Sequence, residues 1–146
     1  MMAPVKPIPL KSEADTLALG ARLAAVLRPG DTVRLSGGLG AGKTTLARGL
    51  IQSRLGAVEV PSPTYTLVQA YDWGEEELWH CDLYRLERPD DAYELGLIDA
   101  MGEAVVLLEW ADRLGPLCPA DALSVELDFE GDGRAALLSG WEGRDV

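Results

Sequence analysis

The sequence predicts one α/β domain in which helices flank a central mixed sheet that carries antiparallel hairpins. Three observations predict this fold class. A short strand, a glycine-rich loop and a helix follow one another within residues 32–55, and a second apolar strand ends at residue 109. Near the C-terminus, two strand-like stretches are joined by the turn EGDG. No long linker divides the chain, so we expect residues 1–146 to form a single domain with a flexible start at residues 1–7.

The first half of the chain predicts two helices and one strand. Ser12 and Asp15 have the spacing of a capping box, and Pro29 ends the apolar pattern that follows them. The stretch TVRLSG predicts a strand that leads into the glycine-rich loop, and KTTLARGLIQSRL predicts a helix that ends at Gly56. For the first helix, helical spacing predicts the core-facing residues Leu17, Ala21, Ala24 and Leu27.

The second half predicts mainly strands. TYTLVQAY and ELWHCDLYRL predict a strand and a return strand around the turn DWGEE. RPDDAYELGL predicts a short helix, and GPLCPAD predicts a loop. EAVVLLEW predicts a buried strand that ends at Glu109, because its apolar residues are consecutive rather than alternating. ALSVELDF and RAALLSGW predict the C-terminal hairpin.

Charge limits the kinds of partner that the chain can bind alone. It has 24 acidic and 13 basic residues, which gives a net charge of −11. Binding to a nucleic acid backbone needs a basic face. We therefore expect no strong independent contact with nucleic acid, although a basic protein partner or a local basic patch stays possible.

Cysteine content and hydropathy predict a cytoplasmic protein. The chain has two cysteines, Cys81 and Cys118, without the spacing of metal ligands, so we expect reduced thiols. No stretch of about 18 apolar residues predicts a membrane span. The N-terminus MMAPVKPIPL has no apolar segment long enough for a secretory signal.

The glycine-rich loop matches a phosphate-binding motif. Residues 37–44 read G-x-x-x-x-G-K-T, the P-loop pattern, and they lie between a predicted strand and a predicted helix. Glycines let the backbone N–H groups face an anion, and the helix N-terminus adds a positive dipole end. Lys43 is expected to reach the β- and γ-phosphates of a nucleotide, and the Thr44 hydroxyl is expected to bind Mg²⁺.

Two carboxylates compete for a role at the metal. Nucleotide hydrolysis also needs an acid at the end of a strand. Asp82 ends LWHCD and Glu109 ends AVVLLE. The apolar pattern favours Glu109, whereas Asp82 lies in a polar cluster with Tyr84 and Arg85. Both are kept: either holds the metal, and the other orients a water molecule.

Three further features each have a functional and an ordinary interpretation. Ser62, Thr64 and Tyr65, in SPTYTLV, lie where a nucleotide-sensing switch would be, although the pattern alone favours a loop before a strand. His80 is the one histidine, either packed in the core or facing the nucleotide, and without a second imidazole it predicts no zinc site. Trp110 belongs to the core or acts in docking or gating beside Glu109.

The residues leave several functions open. A small-molecule kinase would need an acceptor pocket and an arginine-bearing lid, for which Arg85 and Arg88 are the nearest pair. A GTPase is not predicted, because the chain has no N-K-x-D motif for guanine. A docking factor that binds nucleotide without essential hydrolysis also fits.

Five motifs in order resemble one known family. GGLGAGKTT, SPTYTLV, HCDLYRL, ELGL and LLEW resemble the bacterial TsaE family, over about residues 8 to 140. The resemblance implies a P-loop ATPase, dependent on ATP and Mg²⁺, that is needed to make threonylcarbamoyladenosine at position 37 of tRNAs that read ANN codons. It implies that the TsaB–TsaD complex is the partner, that TsaD transfers the threonylcarbamoyl group, and that ATP hydrolysis supports repeated turnover. Contact with tRNA is then indirect or weak.

The resemblance also implies roles for particular residues. It matches Thr44 to the magnesium threonine, Asp82 to a Walker B-like aspartate, and Glu109 to a glutamate of the metal and of hydrolysis. Trp110 matches a tryptophan beside that glutamate. We expect turnover to be slow until the partner completes the site. The implied nucleotide contacts are Glu13, Gly40, Ala41, Gly42, Lys43, Thr44, Thr45 and Arg134.

Overall fold

The computed structural model describes residues 7–38, 40–61 and 67–146. It confirms the α/β fold class, with one seven-stranded mixed sheet between layers of helix. The strands are β1 (Ile8–Leu10), β2 (Thr32–Ser36), β3 (Val68–Trp73), β4 (Glu76–Asp82), β5 (Val105–Glu109), β6 (Leu123–Glu130) and β7 (Gly133–Ser139). The helices are α1 (Glu13–Val26), α2 (Lys43–Leu55), α3 (Asp91–Glu94) and α4 (Leu97–Ala100), and a kinked 3-10 segment covers Ala111–Leu117.

The order of the strands places the carboxyl ends of β2, β5 and β4 side by side. The sheet runs β1-β7-β6-β2-β5-β4-β3. Strands β6, β2, β5 and β4 are parallel, whereas β3, β7 and β1 add antiparallel edges. In this register Glu109 pairs with Leu35 on one side and with Asp82 on the other. The P-loop and both candidate acids therefore lie at the carboxyl ends of the parallel strands, where α/β proteins bind ligands.

Helices α1 and α2 cover one face of the sheet and lie very close to each other. A Cβ atom at Gly20 would be 2.4 Å from the Leu46 carbonyl oxygen, and one at Gly49 would be 2.4 Å from the Leu17 carbonyl oxygen. Burial confirms Ala24 and Leu27 as core residues but corrects the other two predicted positions, since Leu17 is only partly buried and Ala21 is exposed. The buried residues within α1 are Thr16, Leu19, Gly20, Leu23 and Ala24.

The opposite face is covered near β4 and β5 by short helices. The single helix predicted after Arg88 is in fact two, because Gly96 adopts a left-handed conformation (φ 76°) between α3 and α4. The predicted loop GPLCPAD begins inside the 3-10 segment. Leu108 and Leu114 belong to the buried cluster on this face. Across the described ranges, no helix has the length and apolar character to cross a bilayer.

Candidate nucleotide-binding site

The P-loop makes a tight turn between β2 and α2. A Cβ atom at Gly37 would lie 2.5 Å from the Leu127 carbonyl oxygen, so only glycine fits against β6. Gly42 (φ 105°) adopts the left-handed conformation immediately before α2, which starts at Lys43. The first N–H groups of a helix have no partner within the helix. This geometry suits an anion above Gly42 and the first turn of α2.

A cavity of about 310 Å³ lies along the loop and brings together both ends of the chain. Glu13, at the start of α1, lines it opposite Arg134 of β7. The Arg134 Nε–H donates to the Gly40 carbonyl oxygen at 3.1 Å, and the guanidinium lies 4.4 Å from the centre of the Phe129 ring. Further lining residues are Thr16, Gly40, Gly42 and Thr45. The loop, Glu13 and Arg134 therefore form one concave surface, although each predicted nucleotide contact stays a prediction.

Lys43, Glu109 and His80 form a connected polar group beneath the loop. The Lys43 Nζ lies 4.0 Å from Glu109 Oε1, and His80 Nε2 lies 2.9 Å from Glu109 Oε2. His80 is fully buried and Glu109 is 5% exposed. A buried carboxylate is tolerated where charge and hydrogen-bond partners satisfy it. Both oxygens of Glu109 are thus directed, one toward the P-loop lysine and one toward the imidazole.

Asp82 lies beside Glu109 but has a different environment. It is half-buried, and its Oδ1 accepts a hydrogen bond from the Tyr84 N–H at 3.0 Å. Its own N–H donates to the Leu67 carbonyl oxygen at 2.9 Å, and Leu67 has a left-handed φ of 63°. Asp82 therefore fixes the chain on both sides of the end of β4.

An aromatic stack flanks the lysine. The Trp110 ring centre is 5.2 Å from Lys43 Nζ and 5.0 Å from the Tyr84 ring centre. Arg113 continues the stack, 5.5 Å from the Tyr84 ring. Trp110 has a left-handed backbone (φ 60°), which is strained for a large side chain. Both rings are exposed, so Trp110 is not a core residue, and its alternative role in docking or gating stays a prediction.

A second cavity, of about 270 Å³, opens at Lys43 on the other side of the loop. Trp110 and Asp112 line one part of it, and Arg34 with Ser36 and Ser124 line the sheet side. Lys43 lines this second cavity, whereas Gly40, Gly42 and Thr45 line the first.

The donor set fits a magnesium–nucleotide site better than a metal held by protein alone. Within the described ranges, no three His, Cys, Asp or Glu side chains cluster in the way that a metal ion needs. Mg²⁺ at a nucleotide typically takes one or two protein oxygens, with phosphates and water supplying the others. A hydroxyl at Thr44 and a carboxylate at Glu109 match that pattern.

Sequence reasoning missed how His80 is used, and some predicted residues lie outside the described part. Residues alternate faces along a strand, so Leu78, His80 and Asp82 point to one face of β4. That alternation could have indicated that the side chain of His80 lies on the same face of β4 as Asp82. The predicted switch residues Ser62, Thr64 and Tyr65 fall outside the described residues.

Comparison with known proteins agrees with the motifs. The sequence profile described as "Threonylcarbamoyl adenosine biosynthesis protein TsaE" matches residues 10–136. A TsaE protein of Rickettsia bellii is 38% identical over 84% of this chain and 86% of its own length. A TsaE protein of Bacillus subtilis is also 38% identical, over 81% of this chain and 74% of its own length. The crystal structure of Bacillus subtilis YdiB superposes with a TM-score of 0.73 and 28% identity, covering 94% of this chain and 87% of that one.

Proposed function

Because this chain belongs to the TsaE family of threonylcarbamoyladenosine biosynthesis proteins, we propose that it is a Mg²⁺-dependent ATPase whose turnover is driven by the TsaB–TsaD complex. Its part in making threonylcarbamoyladenosine in tRNA follows from the family. The observation that carries the finer proposal is the buried Glu109 carboxylate, directed at the P-loop lysine from the adjacent strand. An acid at this place relative to a P-loop is what hydrolysis of a nucleotide requires.

Each residue of the proposed site has its own role in hydrolysis. The N–H groups at the start of α2 bind the phosphates, and the ammonium of Lys43 neutralises the charge that develops on the terminal phosphate. Thr44 and Glu109 hold the metal ion, with Asp82 contributing directly or through water. Glu109 also orients the attacking water. When bound, Mg²⁺ would neutralise phosphate charge and polarise the phosphoryl oxygens.

The partner complex acts on a site that is slow by itself. A cation or water-positioning group that a partner supplies speeds phosphoryl transfer, because it stabilises charge or orients the nucleophile in the transition state. The exposed Trp110 and Tyr84 rings, beside Lys43, offer TsaB–TsaD a surface through which to reach that point. Aromatic residues of this kind commonly dominate binding between proteins. With a net charge of −11, the chain reaches tRNA only indirectly or weakly.

The test is ATP hydrolysis by the purified chain with and without TsaB–TsaD from the same source. We expect slow hydrolysis alone, clear stimulation by the complex, and loss of both in Lys43→Ala, because removing the lysine removes a charge contact to the phosphates. Fast hydrolysis that the complex does not change would contradict the proposal.

A matched pair of aromatic variants locates the surface that the partner uses. Trp110→Ala should reduce stimulation by TsaB–TsaD at least tenfold, whereas Tyr93→Ala should have no effect. Tyr93 is a suitable control because it is equally an exposed aromatic residue, 56% exposed, but lies in α3. Equal stimulation of both variants would place the partner elsewhere.

A small-molecule kinase is the second candidate, and the cavity beyond Lys43 is the observation that favours it. An acceptor group in that cavity would lie next to Arg34 and near the terminal phosphate. A kinase would yield a phosphorylated metabolite and no free phosphate. Release of inorganic phosphate in step with ADP therefore separates the two candidates.

A further inference from the structure

We infer that His80 is a positioning residue whose Nε2–H holds the Glu109 carboxylate in the orientation that binds the metal ion of the nucleotide. The inference rests on the proposed function, in which Glu109 holds that ion. His80 touches neither phosphate nor metal in this assignment. It acts through Glu109 alone.

The geometry of the pair is the first support. The two side chains come from neighbouring parallel strands, β4 and β5, and meet at 2.9 Å between His80 Nε2 and Glu109 Oε2. His80 is fully buried and Glu109 nearly so, hence water cannot replace this bond. An ionised carboxylate only accepts hydrogen bonds, so the inference requires the tautomer in which His80 Nε2 is the donor.

The bond assigns different tasks to the two carboxylate oxygens. Oε2 is occupied by the imidazole, whereas Oε1 faces Lys43 Nζ at 4.0 Å. The last torsion of a glutamate side chain is broad, so the plane of a free carboxylate is poorly fixed. The bond to the imidazole fixes that plane, so that one oxygen lies on Nε2 and the other faces the phosphate side of the site.

The second imidazole nitrogen indicates that His80 does not serve to stabilise the fold. Its Nδ1 is buried and finds no hydrogen-bond partner among the described residues. A buried polar atom without a partner is unfavourable, and neighbours in the sheet such as Leu78 and Leu107 show that an apolar side chain suits this layer. The bond from Nε2 to Glu109 is therefore what explains a histidine at this position.

Groups that orient a metal-binding carboxylate have measurable effects on the metal. Removing such a partner typically weakens metal binding or activity by about 10- to 100-fold. The expected consequence of losing the Nε2 donor is thus weaker binding of the metal ion to the nucleotide complex, with little change in the binding of metal-free nucleotide. A merely structural histidine would alter both together.

The first experiment uses the unaltered chain, without a histidine tag, and observes the imidazole by ¹⁵N NMR. The chain has a single histidine, so one pair of nitrogen signals reports His80. We expect the spectrum of the Nε2–H form, with an unprotonated Nδ1. A spectrum of the Nδ1–H form would overturn the inference regardless of how any variant folds.

The second experiment compares His80→Gln with His80→Asn. The amide nitrogen of Gln lies near the position of Nε2, and that of Asn lies near Nδ1, so only Gln keeps a donor for Glu109. Binding of Mn²⁺ to the ATP complex, followed by electron paramagnetic resonance, should weaken at least tenfold in His80→Asn and stay within about threefold of the parent in His80→Gln. Equal weakening in both variants, or none in either, would overturn the inference.

A Glu109→Gln background completes the design. If His80 acts through Glu109, adding His80→Asn to Glu109→Gln should cause no further loss of Mn²⁺ affinity. A further tenfold loss would mean that His80 acts by another route. None of these measurements depends on turnover, so absence of partner-stimulated hydrolysis would refute the proposed function while leaving this result to stand or fall by itself.

Discussion

The Glu109 carboxylate shows how a single charged side chain can be buried at the edge of this sheet. Its two oxygens face Lys43 and His80, and its backbone carbonyl accepts a hydrogen bond from the Leu83 N–H at 3.0 Å. Lys43 comes from the start of α2, whereas His80 and Leu83 come from β4 and the residue that follows it. The candidate site is therefore specified by neighbouring strands rather than by the P-loop motif alone.

The thiols provide a prediction that depends on pH. Burial raises the pKa of Cys81 to about 12, and partial burial raises that of Cys118 against the opposing charge of Arg34. Because only the thiolate reacts, a raised pKa lowers reactivity at any pH below it. At pH 8 about one Cys81 thiol in ten thousand is ionised.

Labelling with a thiol-specific reagent at pH 8 should therefore modify Cys118 in the folded chain, more slowly than in urea, and should leave Cys81 unmodified until the chain unfolds. The Cys118 rate should rise as the pH rises from 7 to 9. Equal labelling of both cysteines in the folded chain would contradict the burial on which this expectation rests.

The crossing of α1 and α2 determines how the two helices present the site. α1 starts with Glu13 beside the P-loop cavity, and α2 starts with Lys43. Their close approach depends on glycine at Gly20 and Gly49, where any Cβ atom would meet backbone of the other helix. The two glycines therefore set the distance between α1 and α2, and this distance in turn affects the width of the cavity beside the P-loop.

Gly49→Ala tests this crossing because two effects oppose each other. Helix propensity alone would stabilise the chain by about 1 kcal/mol, whereas a Cβ atom against the Leu17 backbone should cost about 1–3 kcal/mol net. We expect urea denaturation to show a lower free energy of unfolding. Gly38→Ala is a control for an added Cβ atom without a clash, since a Cβ atom there meets nothing within 4 Å among the described residues. A more stable Gly49→Ala chain would show that the helices are not in close contact.

The elements that sequence reasoning recovered are those with strong local signals. The predicted strand before Glu109 and the helix from Lys43 to Leu55 agree with β5 and α2. β1 was missed because its three residues include Pro9, and only pairing with β7 makes them a strand. The buried face of α1 was predicted only in part. Alanine and glycine occur on several sides of this helix, so the spacing of apolar residues alone did not identify the buried side.

The candidate site, like the fold, could be predicted from the sequence only in part. The P-loop pattern predicted Lys43 and the apolar strand predicted Glu109, and the structure brings the two side chains within 4.0 Å. The bond from His80 to Glu109 could not follow from spacing, because it depends on which strands become neighbours in the sheet. Likewise, the contact of Arg134 with Gly40 joins residues that are 94 positions apart in sequence.

At the level of the whole molecule, the proposed function gives this chain one nucleotide site and leaves the chemistry on tRNA to its partner. Its net charge of −11 opposes binding to a phosphate backbone. One cavity, of about 310 Å³, is lined by the P-loop, and another, of about 270 Å³, is lined by Lys43. We therefore propose that TsaD transfers the threonylcarbamoyl group and that hydrolysis by this chain allows repeated rounds.

The most direct measurement of that claim is the number of tRNA molecules modified per TsaB–TsaD complex when this chain carries Glu109→Gln. The variant keeps the shape of the side chain and a bond to His80 but lacks the charge that binds the metal and orients water. We predict many rounds of modification with the parent chain and about one round with the variant, which should still bind ATP and TsaB–TsaD. As many rounds with Glu109→Gln as with the parent would contradict the proposed ATPase role and show that nucleotide-dependent docking alone is sufficient.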